Sequence, residues 1–326
     1  MHGVIHPSRR ALLAAGGATA ALSLLPSMPV LAGTPRVTLA TATPGGGFQL
    51  FGKALIDAIV ESGAGLTVEE RPTGGSRENL KLLRGSAVDF AQVEGNAARQ
   101  AFEEEDGKPL AARLKIAAAM YPGPGLCVMR ADSPARSLDD LKGKRVIYGT
   151  HSSGLTILTR RILSGLGYDP DKDFEPVYLD KAGDGPVMVL KGKADALCGG
   201  GFGWPGFVKV AGSPGGARFL SAGAQGSARI RERFPFLREM TVPAGSYEGQ
   251  DNDLVTVGLW SFILTRPDLP DDAARRFAEA AHKASPLLAG KLEQGAYATP
   301  QNTARNAPAE LLHPGARAYL QEIGAF

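Results

Sequence analysis

The sequence predicts an α/β protein built from two similar lobes, and three observations support this prediction. Short alternating apolar runs are followed by amphipathic runs with helical spacing, which is typical of parallel strands joined by helices. The segments NLKLLRGSAVDFA (79–91) and PVMVLKGKADALC (186–198) resemble each other. In both lobes a turn rich in glycine or serine falls where a strand gives way to a helix. The 326 residues, 44% of them hydrophobic, are enough for two cores.

The first lobe is predicted to begin at residue 34 with the order β-α-β-α-β. The run VTLATAT alternates as a buried strand does, and the following helix (48–63) places Phe51, Leu55 and Ile59 on one face, with Gly63 at its end. The next units are the strand LTVEE, the helix RENLKLLRG and the strand AVDFAQVE. Short connections between these units imply parallel strands with right-handed crossovers.

The second lobe repeats this order. Its predicted units are the strand KRVIYGT, the helix LTILTRRILSGLG, the strand FEPVYLD, the helix PVMVLKG and the strand ADALC. Two further strands, near 123–130 and 251–264, are predicted to cross between the lobes. A helix over DLPDDAARRFAEAAHKA is predicted to begin at Asp268 or Asp271. We therefore place lobe 1 at 33–125 and 253–326, and lobe 2 at 126–252.

The N-terminus has the features of an export signal. Arg9 and Arg10 precede a weakly apolar run (11–25) that is too short to span a bilayer. Val30 and Ala32 supply the small residues that a signal peptidase needs, so cleavage is predicted after Ala32. The paired arginines also fit the twin-arginine pattern, and an ordinary secretory signal is the alternative. Either route predicts a soluble mature protein in the periplasm.

Charge and composition exclude several classes of function. The chain has 36 basic and 33 acidic residues, and the excess is smaller still once the two arginines of the leader are removed, so nucleic acid is not predicted as a partner. The 42 glycines follow no G-X-Y period. The histidines are not spaced as metal ligands, and no nucleophile elbow, P-loop or dinucleotide fingerprint is present. We predict no enzyme, no metal and no cofactor.

Only two cysteines are present, Cys127 and Cys198. Both fall in strand-like apolar runs, where free cysteine behaves as a small apolar residue, and this is the interpretation we favour. A disulfide between them is the alternative in an oxidising compartment. The spacing does not decide between the two.

The turns between strands and helices are the candidate site. In open parallel sheets ligands bind at the carboxyl ends of strands, where helix N-termini present unpaired N–H groups to anions. Helix capping also selects these residue types, so a single turn has a purely structural explanation. The turns are Gly45-Gly46-Gly47, Gly74-Gly75-Ser76, Ser152-Ser153-Gly154 and Gly183-Asp184-Gly185.

These motifs resemble the TAXI subgroup of solute-binding subunits of tripartite ATP-independent periplasmic (TRAP) transporters. The resemblance implies a type II periplasmic-binding-protein fold, with two α/β lobes joined by two crossover strands. It also implies capture of a small carboxylate-bearing solute, an amino acid or organic acid, for delivery to an ion-driven membrane permease. The matching stretches are PGGGFQLFGKAL, TGGSRENLKLLRGSAVDFAQVE, YPGPGLCVMRADSPARSLDDLKGKRV, HSSGLT, VPAGSYEGQ and HPGARAYLQEIG.

The same resemblance implies a set of ligand contacts. In lobe 1 these are Gly45, Gly46, Gly47, Phe48, Gly75, Ser76, Asn79 and Glu94, and in lobe 2 they are Ser152, Ser153, Gly154, Thr156, Trp204 and Tyr247. The chain departs from the family at Gly47-Phe48-Gln49, at Glu94 (where the family has glutamine) and at His151-Ser152 (where it has proline-glycine).

Several of these residues have a structural alternative. Trp204 can cap a helix rather than stack on a ligand, Phe48 can belong to the core, and Tyr247 can hold its loop. An ionised Glu94 predicts a monocarboxylate or amino acid as the solute, whereas an ion pair with Arg77 or Arg99 would leave selectivity unchanged. Two rival functions stay open: a binding protein of an ATP-driven (ABC) importer of the thiamine-precursor type, and a periplasmic enzyme on the same fold.

Overall fold

The computed structural model describes residues 1–3 and 34–326, so the predicted signal segment and its cleavage after Ala32 lie outside the described residues. Thr34–Phe326 forms one compact unit. The strands are β1 (Arg36–Ala40), β2 (Thr67–Arg71), β3 (Phe90–Val93), β4 (Lys115–Arg130), β5 (Arg145–Thr150), β6 (Glu175–Leu179), β7 (Ala196–Gly200), β8 (Ala217–Leu220), β9 (Arg238–Val242) and β10 (Leu254–Thr265).

Helices cover both faces of the sheet that these strands form. In the part of the chain that the structure describes, no helix has the length and apolar character needed to cross a bilayer. The α-helices are α1 (Gly47–Glu61), α2 (Ser76–Arg84), α3 (Gly95–Glu104), α4 (Gly154–Gly165), α5 (Asp184–Leu190), α6 (Pro205–Ala211), α7 (Gly223–Arg233), α8 (Asp271–Lys283), α9 (Ser285–Lys291), α10 (Pro300–Asn306) and α11 (Pro314–Glu322).

Within residues 34–326 the sheet has ten strands, in the order β2-β1-β3-β10-β4-β7-β5-β6, with β8 paired to β4 and β9 paired to β10. Strands β1, β2 and β3 are parallel, and so are β5, β6 and β7. We call the first group, with helices α1–α3 and α8–α11, the first half, and the second group, with β8, β9 and helices α4–α7, the second half. The predicted order of strands and helices is therefore confirmed in both halves.

Strands β4 and β10 join the two halves. Residues 115–124 of β4 pair with β10, and the strand then pairs with β7 from Gly125 onward. Pro122 and Pro124 lie at this change of partner and have no N–H to donate to a ladder. The boundary that the sequence predicts between the lobes, at 125/126, falls within β4. The second predicted boundary, at 252/253, lies just before β10.

Helix α1 shows how the sequence pattern produces packing. Phe51, Leu55 and Ile59 are each about 1% exposed, as their four-residue spacing predicts. They pack on Phe90 of β3 and Phe277 of α8, whose rings stack at a centroid distance of 3.9 Å. Burying one such side chain contributes about 1.5–3 kcal/mol. The helix ends where predicted, because Gly63 adopts a left-handed conformation with φ of 62°.

Some elements were not predicted. Helix α3 follows β3 directly, β8 and β9 add edges to the sheet, and β4 begins at Lys115, earlier than the predicted 123. Helix α8 begins at Asp271, the second of the two predicted starts, with Pro270 before it.

The two cysteines form a disulfide, so the interpretation as free apolar residues was wrong. Cys127 of β4 lies opposite Cys198 of β7 in the antiparallel register, with a Cα–Cα distance of 4.0 Å. Their separation of 71 positions in sequence hides this neighbourhood, which exists only because β4 and β7 are adjacent strands. The bond ties the crossover strand to the second half.

Candidate functional site

A cavity of about 60 Å³ lies between the two halves, at the carboxyl ends of their parallel strands. We call it the central cavity. Its walls come from both halves and from the crossover strands, and they consist of helix starts, glycines and a few aromatic and hydroxyl side chains. The lining residues are Ala42, Thr43, Gly46, Gly47, Phe48, Gly74, Gly75, Ser76, Glu94, Tyr121, Gly123, Gly149, Thr150, Ser153, Gly154, Leu155, Leu179, Ala182, Leu197, Gly200, Trp204 and Ser261.

The start of α1 forms one side of the cavity. Its N-cap is Gly46, which has no side chain and so gives the helix no side-chain cap hydrogen bond. The first N–H groups of this helix therefore have no intrahelical acceptor and lie beside the cavity. Gly47 has no room for a side chain, because a Cβ would lie 2.9 Å from Cδ1 of Trp204. The helix start and the indole ring are thus in direct contact.

Glu94 is the charged group of the first half. It is 3% exposed and caps α3, its Oε2 accepting hydrogen bonds from Asn96 N at 2.8 Å and Ala97 N at 3.3 Å. Its Oε1 accepts a third from Asn96 Nδ2 at 2.8 Å, and its own N–H donates to Ser76 Oγ at 3.0 Å. Burial raises the pKa of Glu94 to about 7, against the opposing effect of these hydrogen bonds.

The ion-pair alternative for Glu94 was wrong. Arg99 pairs with Glu103 at 2.6 Å instead, and the cation near Glu94 is Arg161 of α4, in the second half. Arg161 Nη1 donates to Asn96 Oδ1 at 2.8 Å, so Asn96 connects the guanidinium to the carboxyl group. This chain of hydrogen bonds crosses from one half to the other.

Ser153 and Gly154 form the opposing side. Ser153 caps α4, its Oγ accepting a hydrogen bond from Leu155 N at 3.2 Å. Gly154 lies against Glu94, and a Cβ on it would overlap Cβ of Glu94. The two capping residues therefore face each other with only a glycine between them.

The turns of the two halves are hydrogen-bonded to each other. Arg77 N donates to Ser152 O at 3.0 Å, and Thr150 Oγ1 donates to Gly74 O at 3.0 Å. On the other side of the cavity, Ala182 N donates to Thr43 Oγ1 at 3.1 Å. The halves are thus in contact around the cavity, which is a closed arrangement.

Tyr121 and Trp204 give the cavity two further donors. The Tyr121 ring packs on Phe48 and Phe51, and burial raises its pKa well above the usual value, so the hydroxyl keeps its proton. Trp204 is 6% exposed and is also the N-cap of α6, without a side-chain cap bond. No hydrogen bond to the Tyr121 hydroxyl or the indole N–H occurs among the described residues, so both are available.

The structure brings most of the predicted contacts together at this cavity: Gly46, Gly47, Phe48, Gly75, Ser76, Glu94, Ser153, Gly154 and Trp204. The remaining predicted residues do not line it. Asn79 is fully buried and donates to Thr41 O at 2.8 Å and to Gln92 O at 2.7 Å. Thr156 Oγ1 bonds to the carbonyls of Tyr148 and Thr150.

Three others hold the surrounding loops. Gly45 packs on the backbone of Gly183, and Ser152 packs on Gly74 and Gly75. Tyr247 donates to Gly201 O at 2.8 Å and stacks on Phe219, so its observed contacts are those of the loop-holding alternative.

Sequence reasoning missed Tyr121, Thr43, Thr150 and Ser261 as lining residues. Thr43 and Thr150 are the last residues of the predicted strands VTLATAT and KRVIYGT, and attention to strand ends would have found them. Tyr121 and Ser261 lie inside the long crossover strands, where no local pattern marks a side chain that faces a cavity. In the described ranges no group of three or more His, Cys, Asp or Glu side chains is placed to hold a metal ion.

The fold matches solved structures of periplasmic binding proteins. One is the alkanesulfonate-binding protein SsuA of Xanthomonas axonopodis pv. citri bound to MOPS, with 15% identity, TM-score 0.50 and coverage of 88% of this chain and 83% of that chain. Another is described as a periplasmic transporter, with 11% identity, TM-score 0.55 and coverage of 89% and 93%. The predicted fold class is thereby confirmed. The NMT1-like family matches residues 39–324, and the chain belongs to this family.

Proposed function

We propose that the protein is a periplasmic solute-binding protein that captures a small carboxylate-bearing solute between two lobes, 33–125 with 253–326 and 126–252. The observation that carries this proposal is the central cavity, whose walls come from both halves and which neither half could form alone. A cleft between two α/β units is a usual place for a small-molecule site. Closure would depend on bending near 123–130 and 251–264.

The size of the cavity limits the solute. At roughly 10–15 Å³ for each water molecule, a cavity of about 60 Å³ holds about four to six waters. A short-chain carboxylate or a small amino acid fits this space. A solute with a long chain would need the halves to move apart.

The helix starts around the cavity favour an anion. The uncapped start of α1 at Gly47 offers backbone N–H groups, and the start of α4 at Ser153 offers a hydroxyl and the positive end of a helix dipole. Tyr121 and Trp204 add donors from the sides. We assign the solute carboxylate to the α4 start, with the donors of the first half on the remainder of the molecule.

Glu94 supports selection for one carboxylate rather than two. Its pKa of about 7 means that the group is about half protonated at neutral pH. The protonated form can donate a hydrogen bond to the solute, whereas the ionised form repels a second carboxylate. A monocarboxylate or an amino acid, whose ammonium would favour the ionised form, is therefore the proposed class.

The loaded protein would deliver its solute to membrane permease subunits. Membership of the NMT1-like family favours the binding protein of an ATP-driven importer, while the TAXI-like motifs alone support a TRAP permease. We therefore propose the ATP-driven importer as the partner and keep the ion-driven permease as the second candidate. The gene beside this one, for an ATPase or for a large ion-coupled permease, would distinguish them.

A thermal-shift screen tests the proposal. The compounds are short monocarboxylates, small amino acids, dicarboxylates and methanesulfonate, the last because a protein of similar fold binds alkanesulfonates. A ligand at about 100 times its Kd should stabilise the protein by about 2.7 kcal/mol. If no compound of these classes stabilises the protein, the proposal is contradicted, and chemical turnover of a compound would favour the enzyme alternative.

Mass spectrometry of periplasmic material should find a chain beginning at Gly33, and a chain that keeps Arg9 and Arg10 would contradict export.

A further inference from the structure

A second cavity, of about 410 Å³, lies beside the central one on the other side of Glu94 and Gly95. We call it the arginine cavity. Helices α3 and α10 line it from the first half, residues just before β9 line it from the second half, and β10 forms its base. The volume is within the range of roughly 300–1,000 Å³ that is usual for small-molecule sites. The proposed solute site does not include this cavity.

The base of the arginine cavity is apolar and largely aromatic. Trp260 and Phe262 come from β10, Phe102 from α3 and Phe236 from the segment before β9. Trp260 and Phe102 are only half-buried, so part of each ring surface remains accessible. Exposed aromatic faces grouped in a concave site favour a flat apolar ligand.

The rim carries four arginines, and two of them have no acidic partner. Arg99 pairs with Glu103 at 2.6 Å and Arg113 pairs with Asp106 at 2.8 Å, so these acids are neutralised. The third acid of the rim, Glu310, lies near the Lys115 ammonium.

Arg238 and Arg305 form no ion pair within the described residues, although both line the cavity and both are exposed. Arg238 belongs to the second half and Arg305 to the first, so each half brings one of these positive charges to the cavity. An anionic group on a ligand could form ion pairs with both arginines, since guanidinium groups match a carboxylate in shape and charge.

We propose that the arginine cavity is a second ligand site, for an anion with a flat apolar body such as an aromatic carboxylate. The ring would lie on Trp260 and its neighbours, and the carboxylate would lie between Arg238 and Arg305. The site takes residues from both halves, and Phe236 is the residue that joins it to the closed arrangement, because Arg99 and Arg161 both lie over its ring, at 4.7 Å and 4.8 Å. A ligand there would therefore favour the arrangement in which the halves are in contact.

The two tryptophans of the chain provide the test, because Trp204 lines the central cavity and Trp260 lines the arginine cavity. Labelling with 5-fluorotryptophan gives two ¹⁹F resonances, assigned with Trp204→Phe and Trp260→Phe. The probe is benzoate, and benzyl alcohol is its uncharged counterpart. We expect benzoate to move the Trp260 resonance to saturation, and benzyl alcohol to bind about tenfold or more weakly, as the loss of charge-assisted bonds implies.

The double variant Arg238→Gln/Arg305→Gln should weaken benzoate binding at Trp260 about tenfold or more. The control variant Arg317→Gln, at an exposed arginine, should bind benzoate as the wild type does. The unmoved Trp204 resonance shows that the double variant is folded, and Arg305→Gln alone replaces it if it is not. Equal binding of benzyl alcohol, equal binding to the double variant, or a response of Trp204 alone would each overturn the proposal. A response of Trp204 reports the central cavity, so it leaves the proposed function standing.

Discussion

The first half ends β3 on a buried carboxyl group at the central cavity, whereas the second half follows β5 with neutral hydroxyls. Glu94 and Ser153 do the same structural work, since each caps the helix that begins beside it. They differ in the group that they bring to the cavity: the carboxyl group of Glu94 titrates near neutral pH, whereas the hydroxyl of Ser153 does not. Two similar lobes can therefore present an asymmetric site, because Glu94 follows the last parallel strand of one half and Ser153 follows the first parallel strand of the other. In the proposed site, the wall with Glu94 would set the pH dependence of solute binding, and the wall with Ser153 would bind the anionic group.

Replacing the carboxyl group should remove the asymmetry and give the largest effect, in Glu94→Gln. The folded protein holds the Glu94 proton from pH 4.5 to about 7 while the unfolded chain releases it, so stability falls as pH rises through this window. The rise in pKa corresponds to about 3 kcal/mol at 1.36 kcal/mol per unit. We expect the variant to match the wild type near pH 4 and to be more stable by about 3 kcal/mol at pH 8, measured by urea unfolding.

The control for this experiment is Glu232→Gln, at an exposed residue of α7. It should change stability equally little at both pH values. A Glu94→Gln variant whose advantage does not grow with pH would show that burial does not raise the pKa of Glu94.

Separating the two walls should be possible with a single methyl group, in Gly154→Ala. A Cβ there overlaps Glu94, so the halves can no longer meet while the helix itself tolerates alanine. Overpacking of about 1–3 kcal/mol predicts solute binding weaker by about 5- to 150-fold. Calorimetry measures the affinity, and small-angle scattering should show compaction on binding in the wild type alone.

Gly290→Ala is the matched control, because a Cβ at this helical glycine would meet nothing within 4 Å. Full affinity in Gly154→Ala would show that the halves need not come as close as in this structure.

Removing the hydroxyl of the second wall should test its share of anion binding, in Ser153→Ala. The variant loses a hydroxyl beside the proposed carboxylate and should bind the solute about tenfold more weakly, at 1.4 kcal/mol per decade. Loss of the α4 cap should also lower stability by about 1 kcal/mol. If the affinity is unchanged while the stability falls, Ser153 is only a cap.

The smallest effect is expected from Arg161→Gln, which weakens the connection between the walls without touching the cavity. Loss of the hydrogen bond to Asn96 should cost about 1 kcal/mol, or about fivefold in affinity. Arg231→Gln, at an exposed arginine of the same half, should have no such effect. An unchanged affinity in Arg161→Gln would separate Glu94 from the second half.

The sequence predicted the fold and the turns well because both depend on local patterns. Alternating runs fix strands, and a glycine or serine after such a run marks the start of a helix, as at Gly47 and Ser153. The roles of Asn79 and Tyr247 could not be read in this way. Each satisfies backbone carbonyls of other segments, and nothing in its own neighbourhood shows which segments those are.

Three other features depend on partners distant in sequence. The disulfide requires that β4 and β7 be neighbours, and the strand β9 has too few apolar residues to be marked by alternation. The raised pKa of Glu94 requires burial by Gly154 and Ser76, which belong to different halves. All three features depend on long-range packing, so they cannot be predicted from local patterns in a single sequence.

The prolines of β4 have a consequence for the rate at which the two halves move apart and the solute exchanges. Pro122 and Pro124 leave gaps in the hydrogen-bond ladder where the strand changes partners, so bending there breaks few backbone bonds. We therefore expect opening to occur on the microsecond-to-millisecond scale of hinge motions, with little barrier from the crossover itself. The residence time of a bound solute would then be governed by the hydrogen bonds that hold the walls together. Slow release of the solute would indicate that these hydrogen bonds are strong. Stiffening the crossover would change the rate of solute exchange more than the affinity.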